Sequence, residues 1–204
     1  MTPEAMTYLT RQIRSWVEVP LDAHVHNDFG LGVANTLAAL KAGAHCAHVS
    51  VNCLGERAGN VDLAEIVVSL ELLYGVSTGI RMEKLVETAR LVEEESGYKL
   101  SLTKPIVGRC VFMREAGGVV QQMVSSPPSV EPFDPSLVGL ERAVVLGKKS
   151  GRYSIIHALK RLGLQATEDQ IDAALAKVKA LSTLQRRAIT DEEFEAILKG
   201  VAAA

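Results

Sequence analysis

Apolar residues recur at helical spacing from the start of the chain, at Met6, Leu9, Ile13 and Trp16/Val17. They follow Thr2-Pro3-Glu4, where a hydroxyl caps, proline takes the first turn and an acid meets the helix dipole. A first helix is therefore predicted near residues 3–17. Pro20 interrupts the next apolar run and removes a ladder donor, which leaves Leu21 to Val25 as the expected strand. Val33 to Ala42 reads as an alanine-rich helix (Val33, Leu37, Leu40) closed by Gly43. His45 to Val51 alternates, with Ala47, Val49 and Val51 on one face and His48, Ser50 and Asn52 on the other. Val61 to Tyr74 returns to helical spacing through Ile66, Leu70 and Leu73. Helix, strand, helix, strand, helix with short connections implies a parallel sheet with right-handed crossovers, either barrel or open.

The pattern changes after Gly75. Met82 to Glu95 reads as an amphipathic helix (Leu85, Ala89, Val92) with a solvated Glu93-Glu94-Glu95 end. Residues 101–140 are rich in Pro, Gly and Ser and read as an irregular linker with one short helix near Val119–Val124. Gly147-Lys148-Lys149-Ser150-Gly151 opens a helical tail. In it, Thr167-Glu-Asp-Gln170 and Thr190-Asp-Glu-Glu193 are capping boxes. Ile171, Leu175, Val178 and Leu181 form the expected buried stripe of one helix, and Phe194, Ile197 and Leu198 that of the next.

Composition narrows the class. The chain has 204 residues, 48% hydrophobic, with a net charge of -2, which suits one soluble domain or two small ones. No basic run or aromatic-basic interleaving points to nucleic acid, and no apolar run approaches the ~20 residues of a membrane span. No secretory signal precedes the first helix, and the three cysteines show no CxxC spacing, so a reducing cytoplasm is expected.

The chemistry-bearing stretch is Leu21-Asp-Ala-His-Val-His-Asn-Asp28. His24 and His26, two apart at a strand end, point the same way. Spacing alone leaves two readings: a metal pair at the C-terminal end of a barrel strand, or two half-buried histidines in a polar turn.

His24-Val-His-Asn-Asp28 together with Gly55-Glu-Arg-Ala-Gly-Asn60 resembles the signature of the 2-isopropylmalate, homocitrate and citramalate synthases, the condensing branch of the DRE-TIM metallolyases. The resemblance extends through Asp28-Phe-Gly-Leu-Gly-Val-Ala-Asn-Thr-Leu, Glu131-Pro-Phe-Asp-Pro and Leu146-Gly-Lys-Lys-Ser-Gly151. It implies an α/β fold: the C-terminal quarter of a TIM barrel, with its last two strands and flanking helices, over residues 1–75. A post-barrel helix and linker (76–140) and a helical C-terminal subdomain (141–204) would follow. It further implies an acyltransferase of amino-acid biosynthesis that condenses acetyl-CoA with an α-keto acid. A divalent ion (Mg, Mn or Zn) would be held by His24, His26 and Asn60, with Glu56 and Arg57 bracing the loop that presents Asn60.

Two departures follow from the same comparison. The first six strands, with the motif that supplies the acidic ligand and most of the keto-acid pocket, have no counterpart here. Two strands cannot close an eight-stranded barrel. A partner carrying the N-terminal half-barrel is therefore expected, in a homodimer or hetero-oligomer, and the chain alone should not catalyse. Second, Phe112-Met-Arg-Glu-Ala-Gly-Gly-Val119 stands where the family reads two histidines, at the positions of Arg114 and Val119. Valine cannot move a proton. Arg114 and Glu115 remain as catalytic candidates, with a surface or cap role for Glu115 as the alternative. Lys148, Lys149 and Ser150 are candidates for coenzyme A phosphates, or else a solvated basic turn. A non-catalytic interaction or regulatory subunit and a carbon–carbon lyase are the alternative functions.

Overall fold

The computed structural model describes residues 1–203. They form two compact units, Met1–Val111 with Ser136–Leu140, and Phe112–Pro135 with the chain from Glu141 onward. The chain leaves the first unit after Val111, returns to it at Ser136–Leu140 and passes back into the second at Glu141. Among the described residues no helix is long and apolar enough to cross a membrane.

In the first unit, helix α1 (Pro3–Trp16) starts as expected, with Thr2 Oγ1 accepting the Ala5 N–H at 3.3 Å. Strand β1 (Asp22–His24), helix α2 (Gly32–Lys41), strand β2 (Cys46–His48) and helix α3 (Leu63–Leu73) follow. β1 and β2 pair in parallel, with Asp22 opposite Cys46, Ala23 opposite Ala47 and His24 opposite His48. Both strands are shorter than the alternation suggests. His26 leaves the ladder to bridge Asn60, and Val51–Cys53 turns sharply with positive φ at Asn52 and Cys53. Val25, Val61 and Ile66 form the core, packed by Met6, Val33, Leu37, Val49 and Leu70. α3 begins two residues late because Asp62 stands as its cap, its Oδ1 accepting the Ala64 and Glu65 N–H groups at 2.8 and 3.2 Å.

Helix α4 (Leu85–Ser96) closes the unit after a tight turn at Met82–Lys84. Glu93, expected in solvent, is buried: its carboxylate pairs with Arg90 and accepts the Leu100 N–H at 3.0 Å, both of which offset desolvation. The α1 stripe is only partly covered, since Trp16 is 73% and Leu9 39% exposed. The β1–β2 sheet has two strands among the described residues.

The second unit contains strand β3 (Met113–Arg114), helix α5 (Gly117–Ser125), strand β4 (Ala143–Val144), and helices α6 (Arg152–Leu162), α7 (Glu168–Gln185) and α8 (Asp191–Ala202). The expected short helix is α5. The linker also holds β3, which pairs in parallel with β4. Both anticipated capping boxes form, Thr167 with Gln170 and Thr190 with Glu193. Phe194, Ile155, Ala174 and Val178 are fully buried, with Leu146, Ile171 and Leu198 around them. Leu175 and Leu181, expected in the buried stripe, are only partly covered; Ala174 and Ser182 take the inner positions of α7.

Candidate functional site

β1 ends by turning Val25 into the core, which leaves the imidazoles of His24 and His26 side by side. Their Nε2 atoms are 3.3 Å apart and their ring centroids 5.1 Å apart, at an interplanar angle of 77°. Nδ1 of His26 lies 3.3 Å from the Glu56 carbonyl oxygen. That oxygen can only accept, so the contact suits the tautomer with the proton on Nδ1, the one that leaves Nε2 open to an ion.

Asn60 reaches the same place from the opposite motif, its backbone bridged to His26. Its Oδ1 is buried and has no hydrogen-bond partner among the described residues, a costly arrangement unless a ligand uses it. Gly55 permits that position, because a Cβ there would come within 2.8 Å of the Asn60 amide carbon. Gly59, at φ +83, lies so close to the Cys53 carbonyl that any side chain would collide with it.

The two motif loops are fastened to each other. The Asn27 N–H donates to the Gly59 carbonyl at 2.9 Å, and Asn27 Oδ1 accepts the Gly32 N–H at 2.9 Å. Arg57 forks onto Asp28, with Nε 3.1 Å from Oδ1 and Nη2 3.1 Å from Oδ2. This hydrogen bond holds the Asp28 carboxyl below its ordinary value. Of the two bracing residues, Arg57 acts through its side chain and Glu56 through its carbonyl.

The residues present fit a divalent cation. Two ligand atoms of one tetrahedral ion with bonds of about 2.0–2.1 Å stand about 3.3–3.4 Å apart, the separation of the two Nε2 atoms here. Two imidazoles and an amide oxygen suit a borderline metal. His48 was not singled out by the sequence. Parallel register sets it opposite His24, with ring centroids 5.6 Å apart and Nε2 3.3 Å from Asp22 Oδ2.

A second set of potential ligands, Cys53, Asp62 and Glu65, gathers within 4.8 Å. The Lys104 ammonium already sits among them, 3.1 Å from Cys53 Sγ, 3.3 Å from Asp62 Oδ2 and hydrogen-bonded to Glu65. Burial alone would depress this lysine, but the Glu65 hydrogen bond and the Asp62 charge raise it above its ordinary value. Burial pushes the Cys53 thiol up. The cluster is compensated by an internal cation. No sequence signal marks it, because its members are separated by up to 51 residues.

In the second unit, the Arg114 guanidinium donates to the carbonyls of Met113 and Val130 at 2.9 and 3.1 Å. Glu115 Oε1 accepts the Lys149 N–H at 2.8 Å. The loop before α6 spends its other amides internally: Gly147 N–H on Ser150 Oγ, Ser150 N–H on the Gly147 carbonyl, and Gly151 N–H on Ser154 Oγ. Lys148 and Lys149 are exposed and Ser150 is buried. A cavity of about 580 Å³ is lined by Glu115, Lys148, Ser182, Thr183, Arg186 and Arg187.

Known proteins match both parts of the chain. The HMGL-like family model matches residues 1–92, and the homocitrate synthase post-HMGL domain-like model matches residues 106–186. A putative (R)-citramalate synthase CimA of Methanosarcina acetivorans is 43% identical over 201 residues, 98% of this chain and 41% of the relative. The 2-isopropylmalate synthase of Methanocaldococcus jannaschii is 41% identical over 205 residues, covering 98% of this chain and 39% of the relative. Homocitrate synthase AksA of Methanopyrus kandleri is 40% identical over 201 residues, covering 98% and 50%. The first unit therefore has the fold of the HMGL-like TIM-barrel superfamily. The chain belongs to the family of 2-isopropylmalate, homocitrate and citramalate synthases. It spans about two fifths to one half of the length of these relatives.

Proposed function

We propose that this chain is the part of an acyl-CoA:α-keto acid condensing synthase that carries the imidazole half of a divalent-metal site. It works in complex with an N-terminal half-barrel that supplies the remaining strands and an acidic ligand. The observation that supports this most is the 3.3 Å separation of His24 Nε2 and His26 Nε2 beside Asn60, whose backbone bridges His26 and whose buried Oδ1 has no hydrogen-bond partner among the described residues. His24, His26 and Asn60 would hold the ion, which when bound supplies Lewis acidity toward a keto carbonyl. The Glu56 carbonyl fixes the His26 tautomer, and the Arg57–Asp28 fork keeps the two motif loops in register. In the second unit, the cavity beside Lys148, Arg186 and Arg187 offers positive charge to the phosphates of acetyl-CoA. Lys149 and Ser150 lie in the same loop as Lys148, with the Lys149 N–H on Glu115 of the cavity wall. Cellular placement in the cytoplasm accompanies this reading.

One observation favours a second reading, a non-catalytic or regulatory subunit. Arg114 and Glu115 both spend their side chains on backbone groups, and Val119 carries no proton-transfer group. Metal titration separates the two readings. The condensing synthase predicts that the complex of this chain with its half-barrel partner takes up one divalent ion. Affinity should fall at least about 100-fold in His24→Ala, the loss expected when one of few ligands is removed. A complex that binds no ion, or is indifferent to His24→Ala, supports the regulatory subunit.

A further inference from the structure

We infer that Lys104 is a positioning residue for Asn60, a staple that closes both ends of the loop presenting it; this rests on the metal reading above. Its ammonium contacts Cys53 Sγ at 3.1 Å and Asp62 Oδ2 at 3.3 Å and is hydrogen-bonded to Glu65. Cys53 stands immediately before residues 54–61, and Asp62 immediately after them. One cation therefore joins the entrance and the exit of the segment that carries Asn60. The group is enclosed: the side chain of Lys104 is 14% exposed, Asp62 1% and Glu65 18%.

The loop needs such a fastening. Asn52 and Cys53 are consecutive non-glycine residues at φ 60 and 58, a conformation that side chains resist. From one side Asn52 is held by Nδ2 donating to the Ala89 carbonyl at 2.8 Å. From the other, Lys104 grips the next side chain. Lys104 is itself fixed, since its carbonyl accepts the Gly108 N–H at 2.9 Å and its N–H donates to the Ser101 carbonyl at 3.0 Å. A side chain at Gly108 would collide with the Lys104 backbone. The carboxylate of Asp62 also caps α3, so the staple ties the loop to that helix as well. The Asn60 oxygen, two residues before Asp62, keeps its unpartnered orientation because both loop ends are held.

The test uses the full chain and two readouts. Hydrogen exchange in Lys104→Met should accelerate at least about tenfold over residues 54–61 while α7 and α8 keep their protection. Cobalt(II) titration followed by its visible absorption should show affinity reduced about 10- to 100-fold, the usual effect of removing a group that orients a ligand. Lys104→Arg, which retains the charge, should recover part of both. Val67→Ala, a core change in α3 remote from the cluster's charges, should lower the melting point and leave cobalt affinity unchanged. Wild-type protection over 54–61 in Lys104→Met would overturn the staple, and so would wild-type cobalt affinity in that variant. If the wild-type chain takes up no cobalt even in complex with its half-barrel partner, the metal reading is what fails, and the exchange result alone decides the role of Lys104.

Discussion

The side-by-side placement of His24 and His26 was legible from spacing alone, because residues two apart in a strand share a face. Asn60 was legible only through the motif that carries it. Its amide oxygen is buried with no hydrogen-bond partner among the described residues, and its packing against Gly55 is set in three dimensions. Lys104, Cys53, Asp62 and Glu65 form a charged cluster whose partners lie 39 and 51 residues away from the lysine, and no local pattern announces such a meeting. Glu115 illustrates a residue whose chemistry reads two ways in sequence. Its carboxylate accepts the Lys149 amide in an exposed setting, so Glu115→Ala should destabilise the second unit by about 0.5–1.5 kcal/mol, the range for a typical hydrogen bond. Chemical denaturation with a probe on α6 measures this. Stability unchanged in Glu115→Ala would return the residue to the catalytic candidates.

The helices α1, α2, α3, α4, α7 and α8 follow from period and caps, because an amphipathic stripe and a capping box are local signals. The strands β3 and β4 have two residues each and lie in Pro- and Gly-rich surroundings, too short for any period to register. The α8 cap carries a pH prediction. Glu193 accepts the Thr190 N–H at 2.9 Å and is forked by Arg187 at 2.6 and 2.8 Å. The Arg187 hydrogen bond is foremost among the causes that hold its pKa at about 2, against an ordinary 4.5. A folded value below the unfolded one means that stability is fully present above about 4.5 and drains away as the pH falls toward 2. The melting-point gap between wild type and Glu193→Gln should therefore be constant above about pH 5 and close between 4.5 and 2. A gap that persists unchanged at the acid end contradicts the cap and fork as the source. A core prediction accompanies it: Phe194→Ala, at a fully buried position, should cost about 3–5 kcal/mol in the second unit.

At the scale of the molecule, the first unit is a two-stranded parallel sheet flanked by helices, with Trp16, Phe29 and Leu73 exposed by 73%, 87% and 77%. Large apolar side chains left in water, together with the edges of a sheet of only two strands among the described residues, mark a surface suited to cover. The order helix, strand, helix, strand, helix left barrel and open sheet undecided but made the parallel pairing of this unit legible. The division into two units with an inserted Ser136–Leu140 segment was not, because a chain that leaves and re-enters a unit has no compositional mark. The family relatives, two to two and a half times as long, carry the same segment within larger chains. The proposal that this chain completes a condensing synthase is tested most directly by mixing it with an N-terminal half-barrel that bears the acidic metal ligand. Free thiol release from acetyl-CoA is then followed across a panel of α-keto acids. The account predicts release that depends on one keto acid, on a divalent ion and on His24, and that neither chain shows alone. A well-folded, metal-loaded complex that releases no coenzyme A with any keto acid would contradict it.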